Sequence, residues 1–433
     1  MTAGDAGYRA AQRADLLRFV AAARVDDGFG WAQTTTGVDA SRGTQLWITC
    51  RMTHVASLGV LAGEAPRSDG PSLDDLRALA AHGVEALTGP LQDAVNGGWY
   101  ARLDDGKATD TAKQAYGHAF VILAASSAVA AGIEGAEALL SNALAVSETR
   151  FWDEPEGLSL EEWNADWTTL DTYRGVNANM HTVEAYLAAG DITHDHRWHE
   201  RAGRIGARVA QWAAANEWRI PEHFDEHWNP MLEHHRDKPA DPFRPYGATV
   251  GHGLEWARLL LASDATLGRS APEGLVDAAR ALYATAVADG WARDGADGFV
   301  YTTDWRGEPV VRERMHWVAA EAIGAAQALF AITGEARYSA DLSRWWAYVD
   351  SFLVDHRGGS WHHEPTLTTC LPARCGRASL MRTTPTRRHS FRTCHSSRHS
   401  LRRSSPSEAS HEFADRCHRR ERARRCRGAL GSA

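Results

Sequence analysis

The sequence has no apolar run that approaches the ~18 residues of a membrane-spanning helix, so an integral helical membrane protein is excluded. It has no GxGxxG, no phosphate-binding P-loop, no GxSxG and no HExxH. Dinucleotide, nucleoside-triphosphate, serine-hydrolase and zincin chemistry therefore lack their usual local signatures. Cysteine is scarce where the chain looks folded. Of six Cys, only Cys50 precedes residue 365, which rules out a disulfide framework and suits a reducing compartment. The N-terminal MTAGDAGYRAAQRADLLRFV carries acids and reads as an amphipathic helix without a signal-peptide apolar core, so a cytoplasmic location is expected.

The chain is not short of tryptophan, with 17 in 433 residues, or of histidine. His54, His118, His181, His252 and His316 each lie near the start of an apolar segment, spaced 64, 63, 71 and 64 residues apart. A period of this length with two helical segments per unit denotes a helical array. One titratable residue per unit suggests helix starts that share a centre.

Helical periodicity covers roughly 8–24, 53–63, 73–88, 110–131, 134–148, 179–189, 196–216, 251–263, 272–288, 315–333 and 336–354. Gly-rich aromatic connectors intervene at 97–106, 150–163, 289–309 and 358–364, and their Gly-Gly and Asp-Gly pairs read as short hairpins. Helix, helix, hairpin, repeated five times with a damaged sixth, gives an all-α fold: an (α/α)6 barrel with its last unit disrupted. An open solenoid is the structural alternative, but an inward ring of His and Trp suits a closed pocket better.

The composition breaks after residue 364. Residues 365–433 hold 16 Arg, no Lys and four acids, whereas 1–364 hold 31 basic and 51 acidic residues. All 17 Trp and all 10 Tyr lie before the break. A basic tail and a zinc module are the conventional readings, and the second fails for want of a CxxC pair. A shifted reading frame explains more. Read one base back, with third bases free, the codons of Gly376 to Ser400 spell WSGKPDAYHAYQATLIPNLPLKPSL. The hidden Tyr-His falls at the codons of Thr383 and Thr384, on the histidine period. The expected organisation is therefore a barrel over 1–364 and an aberrant, disordered tail over 365–433.

GHGLEWARLL (251–260) is the strongest local motif. His252 and Glu255 stand at i and i+3 on one helix face, where a carboxylate orients an imidazole for proton transfer. The plain alternative is a helix-start His beside a solvated Glu. Asn177 and His181 stand four apart and could hold a polyol, or serve as an N-cap and a core His. Arg51, three before His54, must be ion-paired or face a ligand. Trp47, Tyr116, Phe243, Trp256 and Trp317 could stack on sugar rings or simply pack the core. No ligand spacing demands a metal.

The stretches WITCRMTHVASLG, GGWY, KQAYGHAF, YRGVNANMHTVEA, DPFRPYGATVGHGLEWARLLL and RMHWVAAEA resemble the N-acylglucosamine 2-epimerase superfamily, over about residues 8–364. They are most similar to its mannose isomerase and sulfoquinovose isomerase branch, and the hidden WSGKPDAYHAYQATLIPNLPL resembles that branch's C-terminal motif. The resemblance implies an (α/α)6 barrel and cofactor-free, metal-free aldose–ketose isomerisation through a cis-enediol, most simply of D-mannose and D-fructose. It implies catalytic roles for His252, Glu255 and Arg51 and a place in the site for Asn177 and His181; beside these, Trp47, Tyr116 and Trp317 are expected from their aromatic chemistry to contact the substrate. The family's second essential histidine matches the hidden Tyr-His, which the chain as written lacks, so impaired turnover is expected. A 2-epimerase, told apart by its C2-epimer product, and a non-catalytic sugar-binding protein are the alternatives. The expected partner is a small sugar, with no nucleic acid and no membrane; neutral, sulfonated and N-acylated sugars stay open, as does the oligomeric state. Limited trypsin digestion should remove residues 365–433 well before the helices are cut; equal protection would refute the expectation of a disordered tail.

Overall fold

The structure, a computed structural model, describes residues 2–34, 37–63 and 70–364. The expectations for 365–433 lie outside these residues. Eleven helices are described: α1 (Ala6–Ala22), α2 (Leu46–Ala62), α3 (Leu73–Thr88), α4 (Ala115–Ala130), α5 (Ala136–Val146), α6 (Val176–Thr193), α7 (His196–Ala215), α8 (Val250–Leu267), α9 (Leu275–Gly290), α10 (His316–Thr333) and α11 (Ala336–Phe352). None is long and apolar enough to cross a membrane.

The even-numbered helices are apolar or small on nearly every side and are buried along most of their length. A helix apolar all round must be surrounded by protein, and these pack in series as α2, α4, α6, α8 and α10. The odd-numbered helices carry polar outer faces; α7 shows this most clearly, burying Trp198, Ala202, Ile205 and Val209 on one side. Each of α3, α5, α7, α9 and α11 lies against the inner helix before it. The outer layer closes on itself, because the Tyr8 hydroxyl of α1 donates to Asp350 of α11 at 2.8 Å and its ring meets Trp346 edge-on. This is the expected (α/α)6 architecture, with five inner and six outer helices among the described residues.

The hairpins of the connectors are present at 102–110, 152–159, 302–311 and 354–361. What periodicity did not foresee is pairing between units. Thr44–Gln45, just before α2, pairs with Arg102–Asp104 in the next connector. Lys113–Gln114 pairs with Glu162–Trp163, Arg174–Gly175 with His223–Phe224, and Ala248–Thr249 with Thr302–Thr303.

The same lacing caps the inner helices. None of their N-cap residues (Gln45, Gln114, Gly175, Thr249 and Met315) makes a side-chain cap. Instead the first helical N–H of each donates to a connector carbonyl of the following unit: Leu46 to Ala101, Ala115 to Glu161, Val176 to Glu222, Val250 to Tyr301 and His316 to His363, at 2.8–3.1 Å. An orphan helix donor is thus satisfied by the neighbouring unit. Helix α2 begins at Leu46 rather than near 53, and α6 at Val176 rather than 179, because burial overrides the weak helix propensity of Thr and Asn at these starts.

One connector is locked by charge. Lys113 and Asp93 pair at 2.7 Å with both side chains essentially unexposed. Asp93 also accepts from the backbone N–H groups of Val95 and Asn96. Removing one partner of a buried pair typically costs about 3–5 kcal/mol. Lys113→Met should therefore lower unfolding free energy by about 3 kcal/mol or more in urea denaturation; a loss below about 1 kcal/mol would show that the pair is not holding the connector.

Candidate active site

The shared capping register gives the inner helices equivalent positions. Counting from the residue whose N–H is capped, second positions are Trp47, Tyr116, Asn177, Gly251 and Trp317. Sixth positions are Arg51, Phe120, His181, Glu255 and Glu321; Glu184 and Arg258 stand at ninth positions. The interactions below join residues of these rows across different helices, so the rows face one another inside the ring.

The five periodic histidines are not equivalent. They occupy the ninth, fourth, sixth, third and first positions of their helices. His54 is buried against the Ser127 hydroxyl of α4. His118 accepts from Trp99 N at Nε2 (3.2 Å), so its Nδ1–H donates to Gln114 O (2.7 Å). Burial pushes its pKa down to about 3, which leaves it neutral. His316 lies against the His363 carbonyl at 3.1 Å. These three hold the structure; His181 and His252 reach the polar centre.

His252 Nδ1 lies 2.9 Å from Glu222 Oε2, and Glu222 is buried. The carboxylate can only accept, so Nδ1–H donates and Nε2 is left for chemistry. Glu222 also accepts from Thr249 N at 3.3 Å. Here the structure corrects the sequence expectation: the orienting carboxylate is Glu222 and not Glu255. The motif places Glu255 one turn along the same helix, but its side chain turns toward Arg258, 3.8 Å away. Glu222 sits in the connector before α8, thirty residues from His252. No local spacing marks it; only the lacing between units brings it there. Burial pulls the His252 pKa down, but the charges of Glu222, Glu255 and Glu321 outweigh it and the net shift is upward. Trp317 packs on His252 with ring centroids 5.7 Å apart. Gly251 makes room, since a Cβ there would stand 2.2 Å from the Trp317 ring.

Arg51 lies over the Phe120 ring at 4.2 Å, and its Nη2 is 3.5 Å from the Tyr116 hydroxyl. Tyr116 also meets His181 edge-on at 5.2 Å. Glu184 and Glu255 are the acids nearest in charge to Arg51. His181 Nδ1 and Glu184 Oε2 are 3.5 Å apart. Asn177, one turn before His181, is half-buried. Trp47 donates to Gln45 Oε1 at 2.6 Å and packs edge-on against Trp31. Of the other aromatics singled out, Trp256 is fully buried core and Phe243 is exposed on the surface. Glu222 and Glu321 are the acids that the sequence reading missed.

His181, Glu184 and Glu255 bring one donor atom each within 4.8 Å of one another, a spacing that a cation would accept. Arg258 already stands within 4 Å of both carboxylates, and Arg51 adds a second guanidinium charge. The donor set therefore fits a cluster neutralised by arginine better than a divalent-metal cage.

Residues 28–370 match the family model described as N-acylglucosamine 2-epimerase. The chain belongs to the N-acylglucosamine 2-epimerase family. It is 48% identical over 357 residues to a D-mannose isomerase of Thermobifida fusca, covering 81% of this chain and 85% of that protein. To a D-mannose isomerase of Pseudomonas cannabina pv. alisalensis it is 45% identical over 356 residues, covering 81% and 83%. A crystal structure of a D-mannose isomerase superposes with TM-score 0.76 at 27% identity, covering 83% of this chain and 90% of that one. A cellobiose 2-epimerase from Spirochaeta thermophila shares the fold, with TM-score 0.70 at 23% identity, covering 83% and 87%. Among family members of this kind the chain is an isomerase-type enzyme with a small-molecule sugar substrate, as the resemblance implied.

The raised pKa of His252 makes the Glu222 pair a pH-linked source of stability. That contribution is complete below the unfolded histidine value of about 6.5 and is lost as pH rises through the folded value. Glu222→Gln should therefore cost more stability near about pH 5.5 than near about pH 9 in urea titrations. An equal cost at both would mean that the pair does not set the His252 charge.

Proposed function

We propose that this protein is a D-mannose isomerase that interconverts D-mannose and D-fructose through a cis-enediol. The observation that carries the reading is the His252–Glu222 pair, with Glu222 buried, in a chain whose nearly half-identical relatives bear that name. The single cysteine of the described residues, Cys50, is buried, which suits a reducing cytoplasm.

The sugar ring first opens. His252 Nε2, with Glu222 holding the opposite nitrogen, exchanges the proton between the ring oxygen and the anomeric hydroxyl. A base then takes the proton from C2. The C–H electron pair becomes the C1=C2 bond, and the former carbonyl oxygen gains negative charge and is protonated. Return of a proton to C1, with loss of the O2 proton, leaves the ketone at C2. Arg51 supports the reading by offering fixed positive charge to the enediolate oxygen, the kind of term that dominates such steps. Tyr116, Asn177, His181, Trp47 and Trp317 suit positioning of hydroxyls and ring faces. The base at carbon is the histidine that the shifted frame spells at the codon of Thr384, so the chain as written turns over slowly.

Restoring that frame after residue 364 should give mannose–fructose isomerisation that survives exhaustive EDTA treatment and carries solvent deuterium into product at C1 or C2. The chain as written should be slower by about 10²–10⁴, the usual cost of a lost acid/base, and His252→Ala in the restored chain should lower kcat by a similar factor. A C2-epimer product, or equal rates with and without the restored frame, would overturn this reading.

A further inference from the structure

The residue that ties this site together is one that neither the periodicity nor the mechanism uses. Arg258 is largely but not fully enclosed on α8, with its guanidinium among three carboxylates from three inner helices. Nε lies 3.2 Å from Glu321 Oε2 on α10. Nη2 lies 3.9 Å from Glu184 Oε1 on α6 and 3.8 Å from Glu255 Oε1 on α8 itself. The side chain passes close over α10: a Cβ at Gly324 would stand 3.1 Å from Arg258 Cδ, a tight contact that glycine avoids.

We propose that Arg258 is a positioning residue: it gathers Glu184, Glu255 and Glu321 into one charged unit across α6, α8 and α10 and thereby sets the charge that His252 experiences. The inventory supports this. Facing His252 are Glu222 from its own connector, Glu255 from α8 and Glu321 from α10. Beyond them lie Glu184 from α6 and Arg51 from α2, whose charges couple to Glu255 or to one another. Glu184, Glu255 and Glu321 share Arg258, while Glu222 lies on the imidazole itself, and the negative charge around the ring favours a proton on imidazole. A guanidinium fork is suited to such a junction because it is always charged and presents its donors in a plane toward several acceptors. A lysine would supply the charge as a point and reach fewer of them.

The assignment deepens the isomerase reading, since it bears on the group given the proton-transfer role. Its test needs no turnover, so it can fail while that reading stands, and the reverse. The probe is the imidazole resonance of His252 in the full chain labelled with isotopic histidine, assigned by its loss in His252→Gln and followed through a pH titration. Arg258→Met removes a positive charge and should raise the His252 midpoint by about one pH unit; Glu321→Gln removes a negative charge and should lower it by a similar amount. Arg258→Lys keeps the charge but loses the fork, so it should move the midpoint upward by a smaller amount. Should Arg258→Met not fold, the pair Glu321→Gln and Arg258→Lys still decides. Opposite shifts in the first two variants, or a downward shift in Glu321→Gln with an upward shift in Arg258→Lys, support the proposal. A midpoint unmoved in Glu321→Gln, unmoved in Arg258→Met (or in Arg258→Lys where the first does not fold), or moved the same way by both substitutions, overturns it and leaves Arg258 as packing alone.

Discussion

The barrel depends on a backbone hydrogen bond made five times over. Each inner helix begins without a side-chain cap, and its first N–H is taken by a carbonyl of the next unit's connector. A buried helix start without a partner would cost about 1–3 kcal/mol per donor, so no unit can form its inner helix properly until its neighbour is in place. The bond also fixes rotation and height, because it anchors the first residue of every inner helix at the same point of the repeat. Side chains at the sixth positions, and Glu184 and Arg258 at the ninth, are thereby turned toward one another inside the ring.

That arrangement makes the polar centre possible. A ring of apolar helices offers no solvent to a charge, yet Arg51, His181, Glu184, Glu255, Arg258 and Glu321 all converge within it. They are tolerable there because each is set against an opposite charge or an aromatic face. Isolated burial of any one would be costly. The same confinement gives His252 its character: Glu222 holds one nitrogen, Trp317 packs the ring, and the surrounding acids favour the protonated form. An imidazole so placed can exchange a proton with an oxygen without moving.

Much of the fold was legible in the chain. Alternation of helices apolar on all sides with helices of one polar face follows from composition, and the count of units follows from the repeat. The hairpins at 102–110 and 302–311 are marked by Asp-Gly and Arg-Gly turns flanked by strand formers. The helix starts were less legible. Leu46 and Val176 open helices that local propensity would begin later, since the stabilising bond comes from residues 101 and 222. Pairing of strands from neighbouring units was invisible for the same reason: two-residue strands carry no period of their own.

The sequence by itself determined that the chain is a repeat of helix pairs, that Arg51, His181, His252 and Glu255 are polar residues in apolar helices, and that its motifs are those of a sugar-processing family. Those are statements about neighbours within a turn or two of helix, where 3.6-residue geometry is sufficient. Only the tertiary structure decided what each residue touches. The regular histidine spacing conceals five different helix positions, three of them structural. The carboxylate on His252 is Glu222 from thirty residues away, while Glu255, three residues away on the same face, is drawn to Arg258. Contacts between units depend on the phase of each helix about the ring. That phase is set by backbone bonds to distant connectors, which leave no mark in local spacing.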